Sequence, residues 1–197
     1  KVFKKARSIS QHESTVTDFE AYTPSYETAA SFIASPIFND GKATAILIFQ
    51  MPVDRINEIM TYGGDWASSG LGESGETYLV GSDNTLRSES RFLIADKSSY
   101  LQALRDSGVA STTINEINAK GVSLGLQPVN TDASRAALSG DTGFDVILDY
   151  RGIPVYSAYS PLEIKGLKWA ILSEIDESEG LQATLDLSSS LTSTSIA

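Results

Sequence analysis

The stretch from Gly70 to Phe92 constrains the fold of this chain more than any other. Gly70, Gly72 and Gly75 break an incoming helix, Glu76–Val80 alternates as a strand, a turn follows at Gly81–Asn84, and Thr85–Ser88 reads as a returning strand. Two strand-like runs joined by Gly, Ser, Asp and Asn predict a β-hairpin. Gly81 can take positive φ without steric cost, and Asp83 and Asn84 tolerate left-handed geometry. A new folding unit is therefore expected to open here. The same glycines spell GxGxxG, but a dinucleotide fingerprint must follow a strand and open a helix. Here a helical pattern at Val53–Tyr62 precedes it and a strand follows, with Glu73 and Glu76 placing negative charge where a phosphate would sit. These glycines are a connector.

Several function classes are excluded before any fold is drawn. The 197 residues contain no cysteine, which rules out disulfides, zinc–thiolate sites and thiol nucleophiles. A net charge of −10 argues against nucleic acid and anionic membrane as partners. No apolar run approaches the roughly 20 residues that span a bilayer, and no signal peptide is present, so the chain reads as soluble or as an excised soluble segment. His12, the single histidine, has no nearby acid or nucleophile motif, and no GxSxG, HExxH or P-loop occurs. The acidic pairs Asp18/Glu20 and Asp145/Asp149 lack calcium-loop spacing and read as solvated or salt-bridged. No motif calls for a cofactor or a metal.

Taken in order, Lys1–Gln11 reads as a short basic helix, and Asp18–Tyr26 as an aromatic, turn-rich segment. Ala30–Phe38 and Ala43–Gln50 read as strands joined by the hairpin turn Asn39–Lys42. The apolar run Ala45–Phe49 suggests a strand covered on both faces. After the central hairpin, Ser98 or Ser99 caps a helix stopped by Gly108. Thr112 or Thr113 opens a second closed by Gly121, and Thr131 a third closed by Gly140. Strands Phe144–Tyr150, Ile153–Ser160 and Lys168–Ile175 follow. Asp176 and Glu179 have capping-box spacing for a further helix, and Leu185–Ala197 reads as a frayed tail. The order from Gly75 to Ile175 predicts an α+β fold, a five-stranded antiparallel sheet with helices on one face.

The motifs Phe32–Phe38, Ile48–Pro52, Gly72–Gly81, Leu86–Phe92, Asp149–Gly152, Ser157–Leu162 and Trp169–Asp176, in that order, resemble the double Cache (double PDC, PAS-like) extracytoplasmic sensor of bacterial transmembrane receptors. The resemblance covers most of Phe19–Glu179. It implies a PAS-like membrane-proximal module at 67–176, preceded at 1–66 by the C-terminal half of a membrane-distal module. An exit helix and tail toward the membrane would occupy 177–197. The distal half would then lack its long helix and two opening strands, leaving sheet edges expected to pair with another chain or to destabilise Lys1–Tyr62. The implied function is non-enzymatic sensing of a small molecule in the periplasm, for a chemoreceptor, sensor kinase or cyclase. The membrane would be reached only through flanking helices.

Candidate ligand residues follow from chemistry. Arg87 and Arg91, beside Ser88, could hold a carboxylate, or pair with local acids instead. Tyr150, Tyr156 and Tyr159 with Asp149 could surround an amine, or simply pack the sheet. The ligand is expected to be an amino acid, carboxylate or amine. In the family such ligands lie between the sheet and its covering helices. Asp176 and Glu179 are expected to fix the junction that passes a shift of the sheet inward, to a helix leading to the membrane. The rival readings are a structural homodimerisation module without a ligand and a soluble enzyme.

Overall fold

The computed structural model describes residues 1–182. Helix α1 (Val2–Ala6) precedes an antiparallel sheet of β1 (Thr15–Tyr22), β2 (Thr28–Asn39) and β3 (Lys42–Gln50), with β2 central. The β2–β3 turn places Asp40 at φ +48° and Gly41 at φ +76°, the paired positive values a two-residue hairpin requires. Helix α2 (Val53–Met60) leads to β4 (Glu76–Gly81), then α3 (Arg91–Ala95), α4 (Lys97–Asp106), α5 (Ser111–Lys120) and α6 (Asp132–Ser139). Strands β5 (Gly143–Leu148), β6 (Pro154–Leu162) and β7 (Trp169–Asp176) complete a second antiparallel sheet in the order β4-β7-β6-β5. A helix follows at 177–182. The expected Leu185–Ala197 tail lies outside the described residues. No helix among them is long and apolar enough to cross a membrane.

The α+β class and the antiparallel order are as expected, but the sheet has four strands rather than five. Thr85–Ser88 does not form a strand. Leu86 makes one bridge to Val80, and Thr85 turns away to bridge Pro128. The reason is Arg87, whose backbone N–H still reaches the Leu79 carbonyl at 2.7 Å while its side chain turns inward and is 2% exposed. Gly81 makes room for it, and does not take the left-handed φ expected of it. A Cβ there would fall inside the guanidinium of Arg87. Gly81→Ala should therefore cost about 1–3 kcal/mol through overpacking against a side chain that cannot swing out, measured by urea unfolding.

Local chemistry explains the helices. In α6, Thr131 Oγ1 accepts from the Ser134 N–H at 3.1 Å and Ser134 Oγ accepts from the Thr131 N–H at 3.0 Å, a capping box. Helix α4 is capped by the Asp96 carboxylate, which accepts from Ser98 and Ser99, not by either serine. Gly121 and Gly140 end α5 and α6 in left-handed geometry. Tyr78 and Val80 of β4 and Leu172 of β7 pack beneath Tyr100, Leu104 and Ile117 of the helices.

In the first sheet, two expectations change. Thr15–Tyr22 is a strand where a turn-rich segment was expected. The β3 run is largely open on both faces rather than covered, with Leu47, Ile48 and Phe49 all exposed. As an edge strand, β3 pairs only with β2, and α1 packs against it at Ile46.

A small hydrophobic cluster joins the two sheets. Phe19 of β1 stacks on Trp169 of β7, with ring centroids 5.9 Å apart, and Met60, Leu79 and Leu124 close around them. Asp18 ties the joint: its carboxylate accepts from Arg87 Nε at 2.8 Å, Arg87 Nη2 at 3.0 Å and Trp169 Nε1 at 2.9 Å.

Candidate ligand-binding site

The structure places the sequence-derived site residues inside internal networks. Arg87 pairs with Asp18 and Asp83, and with the Thr85 hydroxyl at 2.6 Å. Ser88 Oγ accepts from the Leu79 N–H at 3.2 Å. The Arg91 guanidinium donates to the carbonyls of Leu71, Gly72, Glu73 and Gly75 and lies over the Trp66 ring. Asp149 accepts from Arg151 Nε at 2.5 Å and from the Arg151 and Ile153 N–H groups. The Tyr150 hydroxyl donates to Glu76 at 2.5 Å. Tyr156 stacks on Phe144, and the Tyr159 hydroxyl donates to Asp145 at 2.7 Å. Tyr156 and Tyr159 are therefore not gathered with Asp149 around one space.

Nor is the space between the second sheet and its helices open. Tyr78, Tyr100, Leu104 and Ile117 are at most 2% exposed there. Each buried side chain of this size contributes about 1.5–3 kcal/mol, so a ligand-sized void would forgo several such terms.

Asp176 and Glu179 also differ from the capping box expected of them. The Glu179 carboxylate accepts from the Glu73 N–H at 2.9 Å, the Ser74 N–H at 2.8 Å and the Ser74 hydroxyl. Asp176 pairs instead with Arg151 Nη2 at 2.6 Å, and its N–H donates to Ser74 Oγ at 3.0 Å. The 72–74 turn offers free N–H groups to an acceptor, and Gly72 leaves the space, since a Cβ there would collide with Glu179. Desolvation raises the Glu179 carboxyl, but the hydrogen bonds from Ser74 and Glu73 outweigh it and hold the group below its ordinary range. The final helix is thus clamped to the approach to β4, across 105 residues of sequence. Glu179→Ala should loosen this clamp by about 1–2 kcal/mol, read as faster hydrogen exchange at 72–74 and 177–182 with the core unchanged.

A candidate opening lies elsewhere. A cleft of about 630 Å³ runs between the β1–β2 turn, the β3–α2 junction and the segment after α5. Met51, Val53 and Leu124 supply apolar lining; Gln50, Asp54, Asn57 and Glu89 supply polar groups, and no Lys or Arg lines it. Glu89 is the most constrained of these. Its backbone N–H donates to Asn57 Oδ1 at 2.9 Å, and its Oε2 accepts from the Ser123 N–H and hydroxyl at 2.6 and 2.7 Å. None of the seven ligand residues read from the sequence lines this cleft. In the sequence, its lining falls partly in the Ile48–Pro52 and Leu86–Phe92 motifs and at the start of the Val53–Tyr62 helical pattern, none of which marked it as a site.

No protein-family model matches the sequence, and no curated protein matches it significantly. Among solved structures, the periplasmic sensory domain of the Campylobacter jejuni chemoreceptor Tlp1 superposes with a TM-score of 0.51 at 13% identity, over 90% of this chain. This chain shares the fold of part of that sensory domain. The ligand-binding domain of the Pseudomonas aeruginosa PAO1 amino acid chemoreceptor PctB, in complex with L-Gln, gives a TM-score of 0.49 at 18% identity over 96% of this chain. That of the Pseudomonas fluorescens chemoreceptor CtaA, in complex with L-isoleucine, gives 0.48 at 12% over 92%. This chain spans 55% of the Tlp1 sensory-domain chain, 64% of the PctB chain and 58% of the CtaA chain.

Proposed function

We propose that this chain is the sensing region of a bacterial signal-transduction receptor, placed outside the cytoplasmic membrane, and that it binds a small amine-bearing molecule in the cleft between the first sheet, α2 and the segment after α5. The cleft carries the reading. Its volume of about 630 Å³ falls within the roughly 300–1,000 Å³ of small-molecule sites, which favour junctions between packed units. The fold supplies the class of protein by analogy, and the lining supplies the ligand chemistry. Asp54 and Glu89 face the cleft without a cation, so an ammonium group is favoured there and a dicarboxylate is not. An amino acid or a simple amine satisfies this. The protein binds; it is not read as a catalyst.

In this reading, residues 67–176 form the membrane-proximal module, and Asp176 with Glu179 passes a ligand-induced shift to the helix that follows. Glu89 links the cleft to that path, since the adjacent Ser90 hydroxyl contacts the Tyr150 hydroxyl at 2.8 Å.

A thermal-shift screen of amino acids, amines, carboxylates and purines tests the proposal. An amine-bearing compound at 100 times its dissociation constant should add about 2.7 kcal/mol of stability. Glu89→Gln should weaken that compound about tenfold, or 1.4 kcal/mol. A response confined to carboxylates would overturn the ligand class, and silence across the screen would favour a purely structural module.

A further inference from the structure

Strands β4 and β7 hold two glutamates in direct antiparallel register, Glu76 opposite Glu174. Cross-strand partners share one face of a sheet and lie close together, an arrangement unfavourable for like charges. Here both are also buried, at 4% and 5% exposure. Among the described residues neither carboxylate has an ion-pair partner. The two nearby guanidiniums are committed elsewhere. Arg151 is held by Asp149 and Asp176 and lies over Phe92, and Arg91 by the four carbonyls of the 71–75 turn.

Every group facing the pair can be named. Glu76 accepts from the Tyr150 hydroxyl at 2.5 Å and the Arg91 N–H at 2.6 Å, with Ser90, Tyr100 and the Arg151 charge beyond them. Glu174 accepts from the Ser157 hydroxyl at 2.8 Å and feels the Asp149 and Glu76 charges. Tyr78 lies two residues along β4 from Glu76, opposite Leu172 and on the same face of the sheet. It is fully buried, its hydroxyl is within electrostatic reach of Glu174, and it makes no hydrogen bond of proper geometry. A buried hydroxyl without a partner is costly, and it marks a place where one more hydrogen bond would fit.

We infer that Glu76 and Glu174 form a proton-binding site, by which the second sheet responds to external pH independently of the cleft. Each proton taken from solvent converts one carboxylate of the pair to a neutral carboxyl. On Glu174, the new O–H can donate to the Tyr78 hydroxyl oxygen, which already faces the carboxylate but lacks good hydrogen-bond geometry. The repulsion across β4 and β7 is then relieved two residues before Asp176, where the strand leads into the 177–182 helix. Burial, opposed by the Tyr150 and Arg91 hydrogen bonds, pushes Glu76 up to about 7. Burial, opposed by the Ser157 and Tyr78 hydroxyls and reinforced by Asp149 and Glu76, pushes Glu174 to about 7. The pair therefore titrates in the neutral range, as a coupled unit.

Infrared spectroscopy of the intact chain, with no added ligand, tests this directly. At about pH 6 a neutral-carboxyl stretch should be present, and it should be lost by about pH 8. Glu76→Gln and Glu174→Gln should each remove about half of the band and of the proton uptake over that interval. Hydrogen exchange at 177–182, corrected for intrinsic rates, should slow on the acid side in the parent and lose that dependence in the variants. A spectrum with only ionised carboxylates at about pH 6 would overturn the inference, even where a variant fails to fold. So would proton uptake unchanged in both variants.

Discussion

Asp18→Ala should lower the stability of the chain by about 3 kcal/mol, although Asp18 is a single residue on a strand of only eight. The Arg87 guanidinium is almost fully buried, and removing one partner of a buried pair leaves a charge that costs about 3–5 kcal/mol. The low end applies because Asp83 still faces Arg87 at 2.9 Å. The change also strips the acceptor from Trp169 Nε1, loosening the Phe19–Trp169 stack where the sheets meet. Urea unfolding should therefore show a lower midpoint and a broader transition, with the first sheet exchanging hydrogen ahead of the second. Asp18→Asn, which keeps one acceptor, should fall between the variant and the parent. A loss below about 0.5 kcal/mol, the scale of an ordinary surface substitution, would mean that Asp83 and Thr85 suffice to hold Arg87.

The second large effect is a pH dependence. Glu76 and Glu174 each rise from an ordinary 4.5 to about 7, so each binds its proton more tightly folded than unfolded. Stability from such a group is fully present below 4.5 and is lost as pH rises through 7. One site moving 2.5 units corresponds to about 3.4 kcal/mol at the limits. Between pH 8 and pH 5.5 the same linkage gives about 2 kcal/mol, with the chain more stable in acid. The net charge of −10 adds a background of the same sign. The informative quantity is thus the difference between the parent and Glu174→Gln, which should be flatter by about that amount in urea unfolding across the interval. Parallel curves would remove Glu174 as the source.

Much of the second unit was legible because its signals are local. Thr131, Gly121 and Gly140 bound helices through contacts a few residues apart, and β4, β6 and β7 carry their own apolar runs. Strand β1 was missed because Thr15, Asp18 and Glu20 dilute its hydrophobicity and a bulge between Thr17 and Glu20 breaks the two-residue period. Helix α3, five residues capped by Ser90, was too short to show a period. Arg87 resembled a ligand hook because its partner Asp18 lies 69 residues away, and Glu179 resembled a local cap because its acceptor role is fulfilled 105 residues back. The cleft has no sequence signature that marks it as a site. Its lining comes from four separate segments, each with an ordinary local role: a hairpin turn, a helix start, a hairpin end and a loop after a helix.

The central claim is that the cleft beside Glu89 takes an amine-bearing molecule, and locating that molecule tests it most directly. Once the screen has identified a stabilising compound, a crystal structure of the complex fixes its position. The account predicts its ammonium within hydrogen-bond distance of Glu89 or Asp54, with Met51 and Leu124 against its apolar part. A ligand seated under the helices of the second sheet, or one turning a carboxylate toward Glu89, would contradict it.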